Sequence, residues 1–174
     1  IRLSLVGSEM CIRDSLGCYP GGWSQIASQK VGKKGKIASV DIKLMQPLNG
    51  CFFIQKRIED LKARDFEDIE EFLPFNLVLS DMAPNISGIK DRDDAFMIGL
   101  VEKVLYIVDT LLAPNGCAII KVFQGESLDY TVSALKNRFN TVKVFKPKAS
   151  RVNSSETYII CLLYTSDAAD EEDS

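Results

Sequence analysis

Three groups of residues in this 174-residue chain have the types and spacing to act on a ligand. The first is Leu16-Gly17-Cys18-Tyr19-Pro20-Gly21-Gly22-Trp23, a small-residue turn opening a helix, with Asp41 ending a Val/Ile-rich segment eighteen residues later. That pattern describes a nucleotide-type ligand on a helix N-terminus, its ribose held by an acid at the tip of the next strand. The turn lacks the G-x-G-x-x-G order of dinucleotide binders, which favours S-adenosylmethionine over a nicotinamide cofactor. The second group is Asp81 and Lys121, each directly after an apolar run. In an open α/β sheet, ligands lie outside the C-terminal strand ends, where both residues fall. Lys121 follows Ala118-Ile119-Ile120, so its stem must leave a buried strand. One reading is a snorkelling lysine paired with Asp81. The other is a proton acceptor, a role in which desolvation or a second cation must offset a paired carboxylate. The third is Glu156, which opens the last apolar run with Tyr158 and Ile160 on its face and, taken alone, reads as a surface carboxylate.

Composition narrows the chemistry. The chain has no histidine, which excludes Ser-His and Cys-His nucleophilic pairs and argues against a zinc or iron site, so no metal is expected. Five cysteines without a C-x-x-C pair suggest reduced thiols in a cytoplasmic protein. Asn85-Ile86-Ser87 matches a glycosylation sequon, read here as fortuitous. No apolar run reaches the roughly 18 residues of a membrane span.

Helix and strand signals alternate from Leu16 to Cys161 without a linker, which predicts one α/β domain with a mostly parallel sheet. Strands are expected at 36–41, 51–55, 75–81, 116–123, 141–145 and 156–161. Helices are expected at 60–72, at 93–112, and from a Ser127 or Asp129 cap towards Phe139. Pro84 disfavours helix at Ala83 and so keeps a loop after Asp81. Residues 1–15 and 162–174 read differently from the rest and resemble translated sequencing-adaptor DNA; the expectation is non-native ends around a domain at 16–161. The first strand of the fold belongs just before Leu16, so it is expected to be truncated. Residues 1–15 hold two basic and two acidic residues, and 162–174 hold five acids. The interior then has 19 basic against 17 acidic residues, net +2 rather than −3.

Six basic residues and no acid lie between Thr131 and Ser155. Beside the expected catalytic edge they suit a phosphate backbone, with Lys143, Lys146, Lys148 and Arg151 as the RNA contacts. Phe139 and Phe145 read as core residues rather than base-stacking ones.

Taken together, LGCYPGGWSQ, SVD, SDMAPNISG, KVFQGE and SRVNSSETYI resemble the FtsJ/RlmE family of ribosomal RNA 2′-O-ribose methyltransferases over residues 16–160. SDMAPN followed by KVFQG forty residues later is the most specific part. The resemblance implies a Rossmann-like S-adenosylmethionine-dependent methyltransferase sheet with a C-terminal antiparallel strand. It implies methyl transfer to a ribose 2′-hydroxyl, with uridine the expected nucleoside, in RNA of the large ribosomal subunit by a monomeric enzyme. By motif, the family's Lys-Asp-Lys-Glu tetrad falls on Asp81, Lys121 and Glu156, and its cofactor contacts on Gly21, Trp23, Asp41 and Asp81. Three positions depart from the pattern. No lysine precedes Lys30 to supply the first tetrad Lys, Ser15 replaces an Asp, and Arg57 stands near the acid expected on the adenine side, with Glu59 and Asp60 as candidate substitutes. The alternatives are a transfer RNA 2′-O-methyltransferase, a catalytically inactive RNA-binding module, and, more remotely, a nucleotide-binding oxidoreductase.

Overall fold

The computed structural model describes the backbone of residues 12–16 and, with side chains, residues 35–44, 47, 49–84, 87–146 and 155–165. Among these, seven strands form one sheet: β1 (Ile12–Leu16), β2 (Lys36–Asp41), β3 (Cys51–Gln55), β4 (Phe75–Ser80), β5 (Leu112–Phe123), β6 (Phe139–Phe145) and β7 (Glu156–Tyr164). Their spatial order is β3-β2-β1-β4-β5-β7-β6. Strands β1 to β5 pair in parallel, and β7 runs antiparallel to both β5 and β6. The expected α/β sheet with a C-terminal antiparallel strand is therefore present. The central runs are apolar because both faces are covered: Leu77, Val78 and Leu79 of β4 are all buried.

The strand expected to be missing is in place. Ile12–Leu16 occupies the slot between β2 and β4, pairing Ser15 with Ser39 on one side and with Leu79 on the other. A gap there would leave two inner strands with unpaired backbone donors and acceptors, a cost any extended segment of this length removes. β7 continues three residues past Cys161, and Tyr164 is buried with its ring 5.5 Å from that of Phe139. Phe139 is thereby a core residue, as expected, and β6 starts two residues before the expected Thr141.

Two α-helices cover one face. α1 (Lys90–Leu111) buries Met97, Val101, Val104, Leu105 and Val108 at helical spacing, and α2 (Glu126–Lys136) follows β5. Phe96 is exposed, with the Arg92 guanidinium 5.4 Å from its ring centre. The helix expected at 60–72 is two 3₁₀ segments, Ile58–Asp60 and Ala63–Phe72. Ala63, Phe66, Ile69 and Phe72 recur every third residue, the period of a 3₁₀ helix, although the helical backbone is interrupted by a kink at Ile69 (φ −129°, ψ 23°). Phe66 meets Phe75 edge-on at 5.5 Å beneath them. The larger apolar cluster lies on this helical face; a smaller one of Ile37, Leu77, Leu79 and Ile119 lies on the other, joined by Cys51, Cys117 and Tyr158. No helix of the described residues is long and apolar enough to cross a membrane.

Neither Ser127 nor Asp129 caps α2. The N-cap is Gly125, at φ 150°, and Ser127 lies inside the first turn. The capping acceptor comes from α1: Asp94 Oδ1 receives the Ser127 N–H at 3.1 Å.

Candidate active site

β4 ends at Ser80, which pairs with Ile120 of β5, so the next residue of each strand stands at the same level above the sheet. Those residues are Asp81 and Lys121. The lysine Nζ lies 3.0 Å from Asp81 Oδ1, with the Lys121 side chain 10% exposed and that of Asp81 29%. The antiparallel register of β7 then sets Tyr158 opposite Lys121 and Glu156 opposite Phe123. The Tyr158 hydroxyl donates to Asp81 Oδ1 at 3.5 Å. Burial first, and then the charges of Asp81 and Glu156, push its phenol up to about 12, so it remains a donor at neutral pH. Tyr158 is absent from the sequence-derived site; two-residue alternation from Glu156 is the signal that reaches it.

Next to this cluster a cavity of about 850 Å³ opens beyond the ends of β2, β3 and β4. Asp41 and Asp81 line it, with Ile58, Met82, Pro84 and Phe96 among its apolar walls; Lys121 and Glu156 do not. Asp41 is fixed by the Lys43 N–H, which donates to its Oδ1 at 2.8 Å. Of the two acids weighed near Arg57, Glu59 lines the cavity and Asp60 does not. Arg57 Nη2 sits 3.5 Å from Glu59 Oε1 in an exposed pair, an arrangement that adds little stability. Carboxylates for sugar hydroxyls, apolar walls for a flat ring and a volume within the ordinary small-molecule range fit a nucleoside-bearing cofactor.

A family model for FtsJ-like methyltransferases matches residues 12–164, from the first residue of β1 to the last of β7. The chain belongs to that family. It is a methyltransferase whose methyl donor is S-adenosylmethionine. Among solved structures it is similar to a Plasmodium falciparum chain assigned as a ribosomal RNA methyltransferase. The two are 26% identical over 91% of this chain and 89% of that one, with TM-score 0.79. Human methyltransferase-like protein 13, solved with SAH, matches at 15% identity over 91% and 74% of the two chains, TM-score 0.65. A Streptococcus mutans chain assigned as a methyltransferase, also with SAH, matches at 12% identity over 89% and 86%, TM-score 0.55. These last two share the fold.

For a methyltransferase of this family, the remaining sequence-derived residues divide as follows. Gly21 and Trp23 lie outside the described residues, as do Lys148 and Arg151. Lys143 and Lys146 are exposed, Lys143 on the edge strand β6. Arg138, counted in the same basic run, is engaged elsewhere: its Nε and Nη2 grip Asp109 at 2.8 and 2.9 Å and its Nη1 donates to the Ala134 carbonyl. That fork ties α2 to α1 and removes one charge from any RNA-facing surface.

Proposed function

We propose that the chain transfers the S-adenosylmethionine methyl group to a ribose 2′-hydroxyl, of a uridine, in large-subunit ribosomal RNA. The reading places it in the cytoplasm, acting as a monomer. The observation that carries it is the 3.0 Å pair of Lys121 and Asp81 at the cavity's edge. Ribosomal RNA as substrate draws support from the Plasmodium falciparum chain's assignment.

When bound, S-adenosylmethionine supplies a methyl group already activated on a sulfonium. What remains for the protein is to align a weak nucleophile and remove one proton. Lys121 Nζ, in its neutral form, accepts the hydroxyl proton. Asp81 orients that amine through the 3.0 Å contact and lines the cofactor cavity. Glu156, at the level of Phe123, supports the lysine and the substrate. Asp41 would accept from the cofactor's sugar hydroxyls and Glu59 would face its adenine side, with Gly21 and Trp23 as further cofactor contacts. Lys143, Lys146, Lys148 and Arg151 hold the RNA backbone. Alignment is worth several kcal/mol of barrier, and proton removal about 10²–10⁴-fold in rate.

The test is methyl incorporation from labelled S-adenosylmethionine into transcribed large-subunit ribosomal RNA, isolated large subunits and transfer RNA, with the label mapped to base or ribose. Ribose 2′-O-methylation of a ribosomal uridine supports the reading. Label on transfer RNA or on a base replaces it, and RNA binding without incorporation leaves only a binding module.

A further inference from the structure

The first turn of α1 carries two adjacent carboxylates that face opposite ways. Asp93 reaches back to the loop after Asp81: its Oδ1 accepts from the Ser87 N–H at 2.8 Å and hydroxyl at 2.7 Å, and its Oδ2 from the Gly88 N–H at 3.1 Å. Asp94 reaches forward to the start of α2. It is 7% exposed, and it takes the Ser127 N–H at 3.1 Å. The Ser127 hydroxyl, followed by the Ser127 and Glu126 N–H groups, holds the Asp94 carboxyl below the usual carboxylate range. The Ser127 hydroxyl itself donates to the Phe123 carbonyl at 3.4 Å.

The turn that Asp94 grips is the connection from Lys121 to α2. Gly125 there sits at φ 150°, and a Cβ on it would lie 2.8 Å from Asp94 Oδ2. Glycine is required twice over, by the backbone angle and by the closeness of the carboxylate. One residue earlier, the Gln124 N–H donates to the Ser155 carbonyl at 2.9 Å, immediately before Glu156. A single carboxylate on α1 thus braces the turn three residues after Lys121, and that turn is bonded to the residue ahead of Glu156. A cavity of about 150 Å³ adjoins the turn, lined by Lys90, Asp94, Phe123, Gln124 and Ser155.

We propose that Asp94 is a positioning residue for methyl transfer, acting through the Gln124–Gly125 turn to hold Lys121 and Glu156 in place, while Asp93 holds the cofactor-side loop. The proposal rests on the functional reading above for its kinetic arm alone. Misplacing a reacting group by about an ångström costs on the order of a hundredfold. In the full chain, Asp94→Ala is expected to lower kcat by about ten- to a hundredfold and leave the S-adenosylmethionine Kd within about threefold. Asp94→Asn, whose amide oxygen still accepts the Ser127 N–H, is expected to recover most of the loss. Asp93→Ala is expected to do the reverse, weakening cofactor binding more than kcat.

A merely structural role would lower thermal stability without separating the two constants. Unchanged kcat in Asp94→Ala, or equal losses in kcat and cofactor affinity, overturns the proposal. Hydrogen exchange at the Gln124 amide supplies an arm that needs no substrate. It is expected to speed up at least tenfold in Asp94→Ala and to return with Asp94→Asn, and unchanged exchange overturns the proposal. If the unsubstituted chain methylates no RNA, the functional reading falls, and the exchange arm alone decides the role of Asp94.

Discussion

A double-mutant cycle on Lys121 and Asp81 separates a structural ion pair from a catalytic one. Lys121→Met keeps the length of the stem and removes the ammonium, leaving Asp81 with the Tyr158 hydroxyl at 3.5 Å. Stranding one member of a fully buried pair costs about 3–5 kcal/mol, and an exposed pair is worth about 0–1. With Asp81 29% exposed and Lys121 10%, the variant falls between these limits, at about 1–3 kcal/mol. For a chain of this size that is roughly 3–10 °C in Tm. Asp81→Asn strands the more buried partner and is expected to cost at least as much. The double variant Lys121→Met/Asp81→Asn strands neither charge and is expected to regain most of the stability. Activity should not follow. With Lys121 as proton acceptor, the double variant stays about 10²–10⁴-fold below the parent in kcat, while calorimetry still shows Lys121→Met binding S-adenosylmethionine. Thermal melts and single-turnover methylation on the four proteins decide the matter. Turnover in the double variant within tenfold of the parent would refute the assignment and leave the lysine as a buried counter-ion.

Charge reversal at Lys143 and Lys146, both exposed, should weaken RNA binding across sequences and make the log Kd versus log salt slope shallower by about two, measured by filter binding. An unchanged slope would move the RNA to another face. Acid stability has a definite sign. Asp65 is held below its ordinary range by the Lys56 ammonium at 2.7 Å, and Asp94 by Ser127. A carboxylate depressed on folding adds stability that is complete above its unfolded value, about 3.9, and is lost as pH falls through the folded value. The urea midpoint should therefore drop from about pH 5 downward, and Asp65→Asn should flatten that drop.

The parts of the fold that could be read in the sequence are those whose burial is local. β2 and β3 coincide with the expected 36–41 and 51–55 because each is a short, largely apolar run between turns. β1 carries no such run: Ile-Arg-Asp-Ser-Leu takes its place through backbone pairing on both edges, which composition does not encode. The 3₁₀ stretch at Ala63–Phe72 was legible in principle, since its apolar residues repeat every three positions rather than every three and four. The site divides along the same line. Asp41, Asp81 and Lys121 are found by asking which charged residues end apolar runs. Asp94 owes its place to a partner 33 residues away, so nothing in its neighbourhood marks it, and alternation from Glu156 gives the face of Tyr158 but not its partner 77 residues away.

The antiparallel insertion of β7 is what turns a nucleotide-binding sheet into this particular cluster. β5 ends at the ligand face, whereas β7 begins there, so the start of one strand meets the end of the other. The pairings Lys121 with Tyr158 and Phe123 with Glu156 keep the phenol on the lysine's side of the sheet, within reach of Asp81. A slip of one residue would set Thr157 opposite Lys121 and carry Tyr158 and Glu156 to the α-helical face. Burial of Ile159 and Cys161 in the main core on one side, with Tyr158 packed on the smaller cluster on the other, resists that slip. The apolar pattern of β7 therefore sets the geometry of the polar site.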